Sequence, residues 1–307
     1  MKPYILVIGS SNTDMVAWTD RLPAPGETVL GGDFIMTGGG KGANQAVAAS
    51  RLGARVVFIA KVGNDIFGKQ AIELFKQEGI DTGFIAIDPG QPSGIALITV
   101  DTKGENCIVV APGANARLSP DDVSKAEEKI EKASLILMQL EIPLETVEFV
   151  VGLAARHHIP VILNPAPARA LTDELLRQIF ILVPNQKEAE MLTGIAVIDS
   201  TSAEKAARAL ANKGVRKVII TLGAEGAVVL DNEDFQHIVA PAVTAIDSTA
   251  AGDVFCGALT TALSEGRPLK DAVVFACAAA ALSVTRMGAQ SSAPTRGEID
   301  SNNYSKK

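Results

Sequence analysis

The chain has 307 residues, 47% of them hydrophobic, so it can bury a full core as one large domain or as a domain carrying an inserted subdomain. Its 35 Asp and Glu outnumber 28 Lys and Arg, and the net charge of -7 argues against a surface built to hold nucleic acid or an anionic membrane. The cysteines Cys107, Cys256 and Cys277 are odd in number and lack CxxC spacing, which suggests neither a disulfide framework nor a zinc site and points to a reducing cytoplasm.

The first apolar run, "YILVIG", is too short for the apolar region of a signal peptide and reads as a buried strand. After it, in "SSNTD", Asn12 and Asp14 could pair with sugar hydroxyls, although an Asp in a turn is otherwise ordinary. Residues 16–37 and 93–111 place turn residues between short strand-like pieces and lack helical periodicity. Both are expected to be β-hairpins, together forming a small sheet that projects from the main body as a lid.

Between them lies "GGGKGANQAVAASRLG", a glycine run entering a helix whose Ala46, Ala49 and Leu52 face a core. It contains G-x-G-x-x-A at Gly38, Gly40 and Ala43, a variant of the dinucleotide fingerprint that a nicotinamide-dependent oxidoreductase would use. The context speaks against that use, because the fingerprint should join the first strand of a βαβ unit to its helix. The run also misses the P-loop pattern, and a glycine-rich hinge is the plainer alternative.

Further along, "VVFIAKVG", "LILMQLE", "VILNPAP", "ILVPN" and "KVIITLG" alternate with segments of helical spacing, such as residues 72–75 and 147–151. The alternation predicts an α/β fold: a doubly wound, mostly parallel sheet with helices on both faces. Ser119, Pro120 and Asp122 look like an N-cap followed by a first-turn proline. In such sheets ligands sit at the carboxyl ends of strands, which singles out Glu141 and the "NQKE" of Asn185 and Glu188. That last pair could be a capping box, or could equally order water around a magnesium ion near phosphates. "TLGAEG", Thr221 to Gly226, is a tight turn between two apolar runs. His157 and His158 close a helix and His237 lies in a strand-like run, so no chemistry falls on them. Residues 272–282 are far short of a membrane span and read as a buried core helix. Only the tail "SNNYSKK" looks frayed.

The segment "DSTAAGD", residues 247–253, brackets small residues between two acids. Ala250, Ala251 and Gly252 can turn their amides toward one point, where the apolar run after Asp253 opens a helix. Asp253 beside such an anion hole could take a proton from an attacking hydroxyl while the amides hold the charge developing on a phosphoryl group. The bland alternative is a helix start with an acid favoured by the dipole.

Taken together, "GGGKGANQAVAASRLGA", "MQLE", "LNPAPAR", "PNQKEAEMLTG", "ITLGAEGA", "DSTAAGDVFCGALTTAL" and "VTRMGAQSSAPT" give a chain that resembles the ribokinase (PfkB) family of sugar kinases over essentially its whole length. The resemblance implies ATP-dependent phosphorylation of the 5-hydroxyl of D-ribose, with 2-deoxyribose or another sugar as the alternative within the family. It implies that Asp253 is the catalytic base and that the amides of Ala250, Ala251 and Gly252 form the anion hole. Sugar contacts would fall on Asn12, Asp14, Gly40, Lys41, Gly42, Asn44, Glu141 and Asp253. Nucleotide contacts would fall on Asn185, Thr221, Gly223, Gly226, Gly252 and Cys277, the last standing where similar proteins often carry His or Asn. Asn185 and Glu188 match the pattern linked to Mg2+ and phosphate. A potassium ion would be held by oxygens of Asp247, Thr249, Val284, Met287, Ala289 and Ser292. The resemblance further implies a homodimer that pairs the lids.

Overall fold

The computed structural model describes residues 3–301, so the frayed tail expected at the carboxyl end lies, beyond Ser301, outside the described residues. In chain order the strands are β1 (Ile5–Ile8), β2 (Asn12–Trp18), β3 (Phe34–Gly39), β4 (Val56–Gly63), β5 (Asp81–Asp88), β6 (Gly94–Val100) and β7 (Asn106–Ala111). There follow β8 (Leu135–Met138), β9 (Val161–Leu163), β10 (Ile181–Leu182), β11 (Lys217–Thr221), β12 (Ala227–Asp231) and β13 (Asp234–Ile238).

Nine strands form one sheet in the order β13-β12-β11-β10-β9-β8-β1-β4-β5, parallel from β11 to β5. Only β12 reverses direction, pairing antiparallel with β11 across the "TLGAEG" turn and with β13 in a second hairpin. The strands read as continuous apolar runs because both faces are covered. Within β1 the side chains alternate: Ile5 and Val7 join one core cluster, Leu6 and Ile8 the other. The first cluster includes residues of the helices Lys41–Arg51, Ala251–Ser264 and Leu269–Ser283. The second takes residues of Leu144–Arg156, Gln186–Thr193 and Ser200–Asn212. The expected core helix at residues 272–282 thus lies inside Leu269–Ser283, and among the described residues no helix is long and apolar enough to cross a membrane.

A second, four-stranded sheet has the order β3-β2-β6-β7. Its hairpins fall where the turn residues placed them, but β2 starts at Asn12, four residues before the expected hairpin region, so Asn12 and Asp14 belong to a strand and not to a turn. Pairing with both β3 and β6 draws those residues into the ladder: Asn12 lies opposite Gly39 and Gly94, and Asp14 opposite Thr37 and Ala96. The predicted cap at Ser119 is present as a full capping box with Asp122 and with Pro120 in the first turn.

The order of the large sheet reverses at β1, whose neighbours β4 and β8 are reached by connections in opposite directions along the sheet. A crevice opens outside the carboxyl ends of strands at such a reversal. Glu141 follows β8, Asn164 follows β9, Asn185 follows β10 and Thr221 ends β11, so four strands deliver polar groups to one rim.

Candidate active site

The helix Ala251–Ser264 begins at Ala250, which adopts a left-handed conformation with φ 59°. Few non-glycine residues do so, and the kink turns the chain just before the helix axis starts. Among the described residues, the amides of Ala250, Gly252 and Asp253 have no hydrogen-bond partner in the protein, whereas the Ala251 amide makes a long turn bond of 3.3 Å to the Ser248 carbonyl. The expected trio of free amides is therefore altered. The tight turn over residues 248–251 occupies Ala251, while Ala250 and Gly252 keep open donors at a helix N-terminus.

Ala250, Ala251, Gly252 and Asp253 line a cavity of about 180 Å³ together with Lys41, Asn164, Asn185, Glu188 and Thr221. Asp253 is buried at its edge, its Oδ2 accepting from the Asn44 side chain at 3.0 Å and its Oδ1 from the Gln45 side chain at 2.9 Å. Thr221, Ser248, Ala251 and Gly252 also line a second cavity of about 500 Å³, so the two volumes share a wall. The second is apolar, with Ala240, Pro241, Val243, Phe255 and Ala280 beside the predicted Gly223, Gly226, Cys277 and Val284. Burial pushes the Cys277 thiol up to about 12, which makes it a neutral wall group.

Asn185 and Glu188 satisfy both readings of "NQKE". They form a capping box, with bonds of 2.9 Å in each direction, and they also line the smaller cavity. Burial raises the Glu188 carboxyl above its ordinary range, opposed by the Asn185 amide and by Lys41. The Lys41 ammonium is held above its usual value chiefly by Asp253, with burial opposing and Glu141 and Glu188 adding to the rise.

Among the residues expected to meet the sugar, Glu141 Oε2 accepts from the Lys41 amide at 3.0 Å and from the Ser10 hydroxyl at 2.5 Å. Asn12 accepts from the Asn115 side chain at 2.8 Å and lines a separate cavity of about 90 Å³. Burial raises the Asp14 carboxyl to about 6, and the charges of Glu141 and Asp253 add to the rise. The glycines around these groups are tightly held and do not form a loose hinge. A Cβ on Gly39 would come within 2.1 Å of the Asp14 carboxylate, and one on Gly42 within 2.6 Å of the Gly9 and Ser10 backbone. Gly40 has φ 86° and backbone 2.7 Å from where its Cβ would stand. The run joins β3 of the small sheet to the helix Lys41–Arg51, outside any βαβ unit, which removes the structural context of a dinucleotide fingerprint.

The residues expected to hold potassium form the seam between two loops. Asp247 Oδ1 accepts from the Thr249 amide at 2.9 Å and Oδ2 from the Gly288 amide at 2.8 Å. Burial pushes the Asp247 carboxyl up, yet the bonds from Thr249 and Gly288 leave it below its ordinary value. The Val284 carbonyl accepts from the Ile246 and Asp247 amides, Met287 from the Ser291 hydroxyl and Ala289 from the Ser292 hydroxyl.

Three polar residues at the site went unread in the sequence: Gln45, Gln139 and Asn164. Asn164 obeys the rule that exposed Glu141, since it directly follows β9. Gln45 adjoins Asn44, but on a helix one residue further is a different face, and only the tertiary contact shows what it meets.

The family described as pfkB family carbohydrate kinase matches residues 2–296. Ribokinase from Haemophilus influenzae is 48% identical over 298 residues, covering 97% of each chain. Deoxyribokinase from Salmonella typhi is 39% identical over 292 residues, covering 95% of each. Among solved structures, ribokinase from Thermotoga maritima superposes with a TM-score of 0.90 at 39% identity, over 97% of this chain and 98% of that one. Arabidopsis thaliana ribokinase complexed with ribose and ATP superposes with a TM-score of 0.92 at 31% identity, over 100% of both chains.

Proposed function

The chain belongs to the pfkB family of carbohydrate kinases, and from that premise we propose that it transfers the γ-phosphoryl group of ATP to the 5-hydroxyl of D-ribose, giving D-ribose 5-phosphate and ADP. One observation carries the chemistry: a carboxylate, Asp253, lines the polar cavity beside the unpartnered helix-start amides of Ala250 and Gly252, and Gly252 belongs to the wall which that cavity shares with the apolar one. Asp253 takes the proton of the attacking hydroxyl while the amides of Ala250 and Gly252 stabilise charge on the transferring group. The apolar cavity suits a purine between Val243, Cys277 and Ala280, with the phosphates reaching over Gly252 toward Asn185 and Thr221. Asn12, Asp14, Gly40, Lys41, Gly42, Asn44 and Glu141 receive the sugar.

Two cations are implied by the family. The oxygens of Asn185 and Glu188 already accept hydrogen bonds within their capping box, which leaves lone pairs better suited to waters around Mg2+ than to direct ligation. When bound, Mg2+ neutralises phosphate charge. Asp247, Thr249, Ser292 and the carbonyls of Val284, Met287 and Ala289 supply oxygen donors alone, the chemistry a K+ ion needs; when bound, that ion adds positive charge behind the anion hole.

The small sheet acts as a lid over the sugar. Exposed apolar side chains on its strands, among them Phe34, Met36, Ile108 and Val109, support a homodimer in which the lids cover one another. The cytoplasm is the expected compartment, since Cys256 and Cys277 are buried as free thiols.

ADP release measured against D-ribose, 2-deoxyribose and a ketohexose tests the substrate. Ribose should give the highest kcat/KM. A preference for 2-deoxyribose, the second reading that the Salmonella relative favours, would move the substrate within the family. Ribose binding without turnover would make the chain a sugar sensor. Size-exclusion chromatography with light scattering tests the dimer, and a monomer at micromolar concentration would refute it.

A further inference from the structure

Behind Asp253 lies a row of carboxamides that faces neither cavity as a whole and that the phosphoryl transfer does not by itself require. Gln45 is fully buried, and its Nε2 donates both to Asp253 Oδ1 at 2.9 Å and to Asn164 Oδ1 at 3.1 Å. Its Oε1 accepts from the Nε2 of the fully buried Gln139 at 2.6 Å. Asn164 in turn donates through Nδ2 to the Val183 carbonyl at 2.9 Å.

The direction of each amide follows from its two ends. A main-chain carbonyl only accepts, so Asn164 must present Nδ2 to Val183 and Oδ1 to Gln45. Gln45 must then turn Nε2 toward Asn164, and the same nitrogen reaches Asp253. Its oxygen is left for Gln139, which must donate. Reversing Gln45 alone would set oxygen against oxygen at both Asn164 and Asp253. The arrangement is self-consistent with Asp253 accepting at both oxygens, since Asn44 donates to the other one. Both carboxyl oxygens are thus fixed in direction by amide donors, one on each side.

The approach of the two helices makes this possible. Gly257 lies one turn after Asp253 on the same helix face, and a Cβ there would come within 2.8 Å of the Gln45 carbonyl and 2.9 Å of Ala48. Gly9 provides a second relief, because a Cβ there would stand 2.1 Å from Gln139 Oε1. Two glycines therefore make room for the helix contact and for the Gln139 end of the row.

We propose that Gln45 is the positioning residue of the catalytic base, holding the Asp253 carboxylate aimed at the sugar hydroxyl, with its own direction set by Gln139 and Asn164. The inference rests on Asp253 being the base. Other groups that act on Asp253 are the Lys41 ammonium, the Asp14 and Glu188 carboxyls and the Cys256 thiol, and all are unchanged by substitution at position 45.

The test uses Gln45→Met, which nearly conserves length and volume while removing donor and acceptor. In a folded variant, kcat should fall about 10-fold or more, because the carboxylate loses the donor that aims it. The KM for ribose should stay near that of the parent, since the buried Gln45 is not among the sugar contacts. Gln139→Met should lower kcat the same way by less, and it carries the test if Gln45→Met does not unfold cooperatively. A parent-like kcat in Gln45→Met, or in Gln139→Met where that variant carries the test, overturns the positioning role, and so does a fall in kcat matched by an equal rise in the KM for ribose. Near-parent turnover in Asp253→Asn would instead remove the base on which the inference stands. An inactive Asp253→Asn beside a Gln45→Met with parent-like kcat would leave the base intact and refute only the role of Gln45.

Discussion

Two stretches of small residues meet near Asp253, and they are small for opposite reasons. In residues 38–42 the missing side chains are filled by the protein itself: Gly38 against Gln290, Gly39 against Asp14, Gly40 against Asn12 and Gly42 against Gly9. At Gly252 nothing lies within 4 Å of where a Cβ would stand. The first stretch is close packing in glycine, whereas the second keeps a space free for something the chain does not contain. A glycine run in a sequence therefore has no fixed meaning until its neighbours are known.

Substitutions should separate the two uses. Gly42→Ala drives a methyl into backbone on the opposite side and should cost about 3 kcal/mol or more, read by denaturant unfolding, with activity lost alongside stability. Survival of Gly42→Ala with parent stability would erase the contrast. Asp14→Asn, at the group Gly39 presses on, should act in two directions at once. Because burial and the neighbouring acids raise the folded-state carboxyl from 3.8 to about 6, ionising it costs stability as pH rises through that window, and the penalty is complete above it. The Asn variant should thus be more stable than the parent by up to about 3 kcal/mol above pH 6, with the gain vanishing near pH 4, while its KM for ribose rises. A denaturation series across that range, together with ribose kinetics, checks both halves. Gly252→Ala should give the smallest change in stability, a gain of about 0.4–1 kcal/mol from reduced freedom of the unfolded chain. It should nevertheless lower turnover or raise the KM for ATP, because the new methyl enters the space where phosphates approach. A variant equally stable and equally active would mean that this space is not used.

The layers of the fold could be read from the sequence because apolar runs and helical spacing are local properties. The β11–β12 hairpin, the Ser119 cap and the core helix around residues 272–282 all follow from residues within one element or turn. The strand character of Asn12 and Asp14 did not follow, since it depends on β3 and β6 arriving on either side. The Asn185–Glu188 pair shows a different limit. Cap and cavity lining use the same atoms, so the sequence offered two readings of which neither excludes the other. The Gln45, Gln139 and Asn164 row was invisible because its members lie 25 to 119 positions apart: Gln139 and Asn164 each directly follow a strand, but nothing local ties either of them to Gln45. Gly257 is the clearest case: a glycine inside a helix reads as a weakness until the partner helix is seen against it.

The cleft gathers the carboxyls of Glu141, Glu188 and Asp253 around the ammonium of Lys41, with Asp14 near Glu141 and Asp253, in a chain whose net charge is -7. An incoming polyphosphate therefore meets long-range repulsion here, where many phosphate pockets draw it in. Ionic strength should act as an accelerator of nucleotide capture: shortening the reach of that field, to about 8 Å at physiological salt, lets the nucleotide come near enough for the short-range amides to hold it.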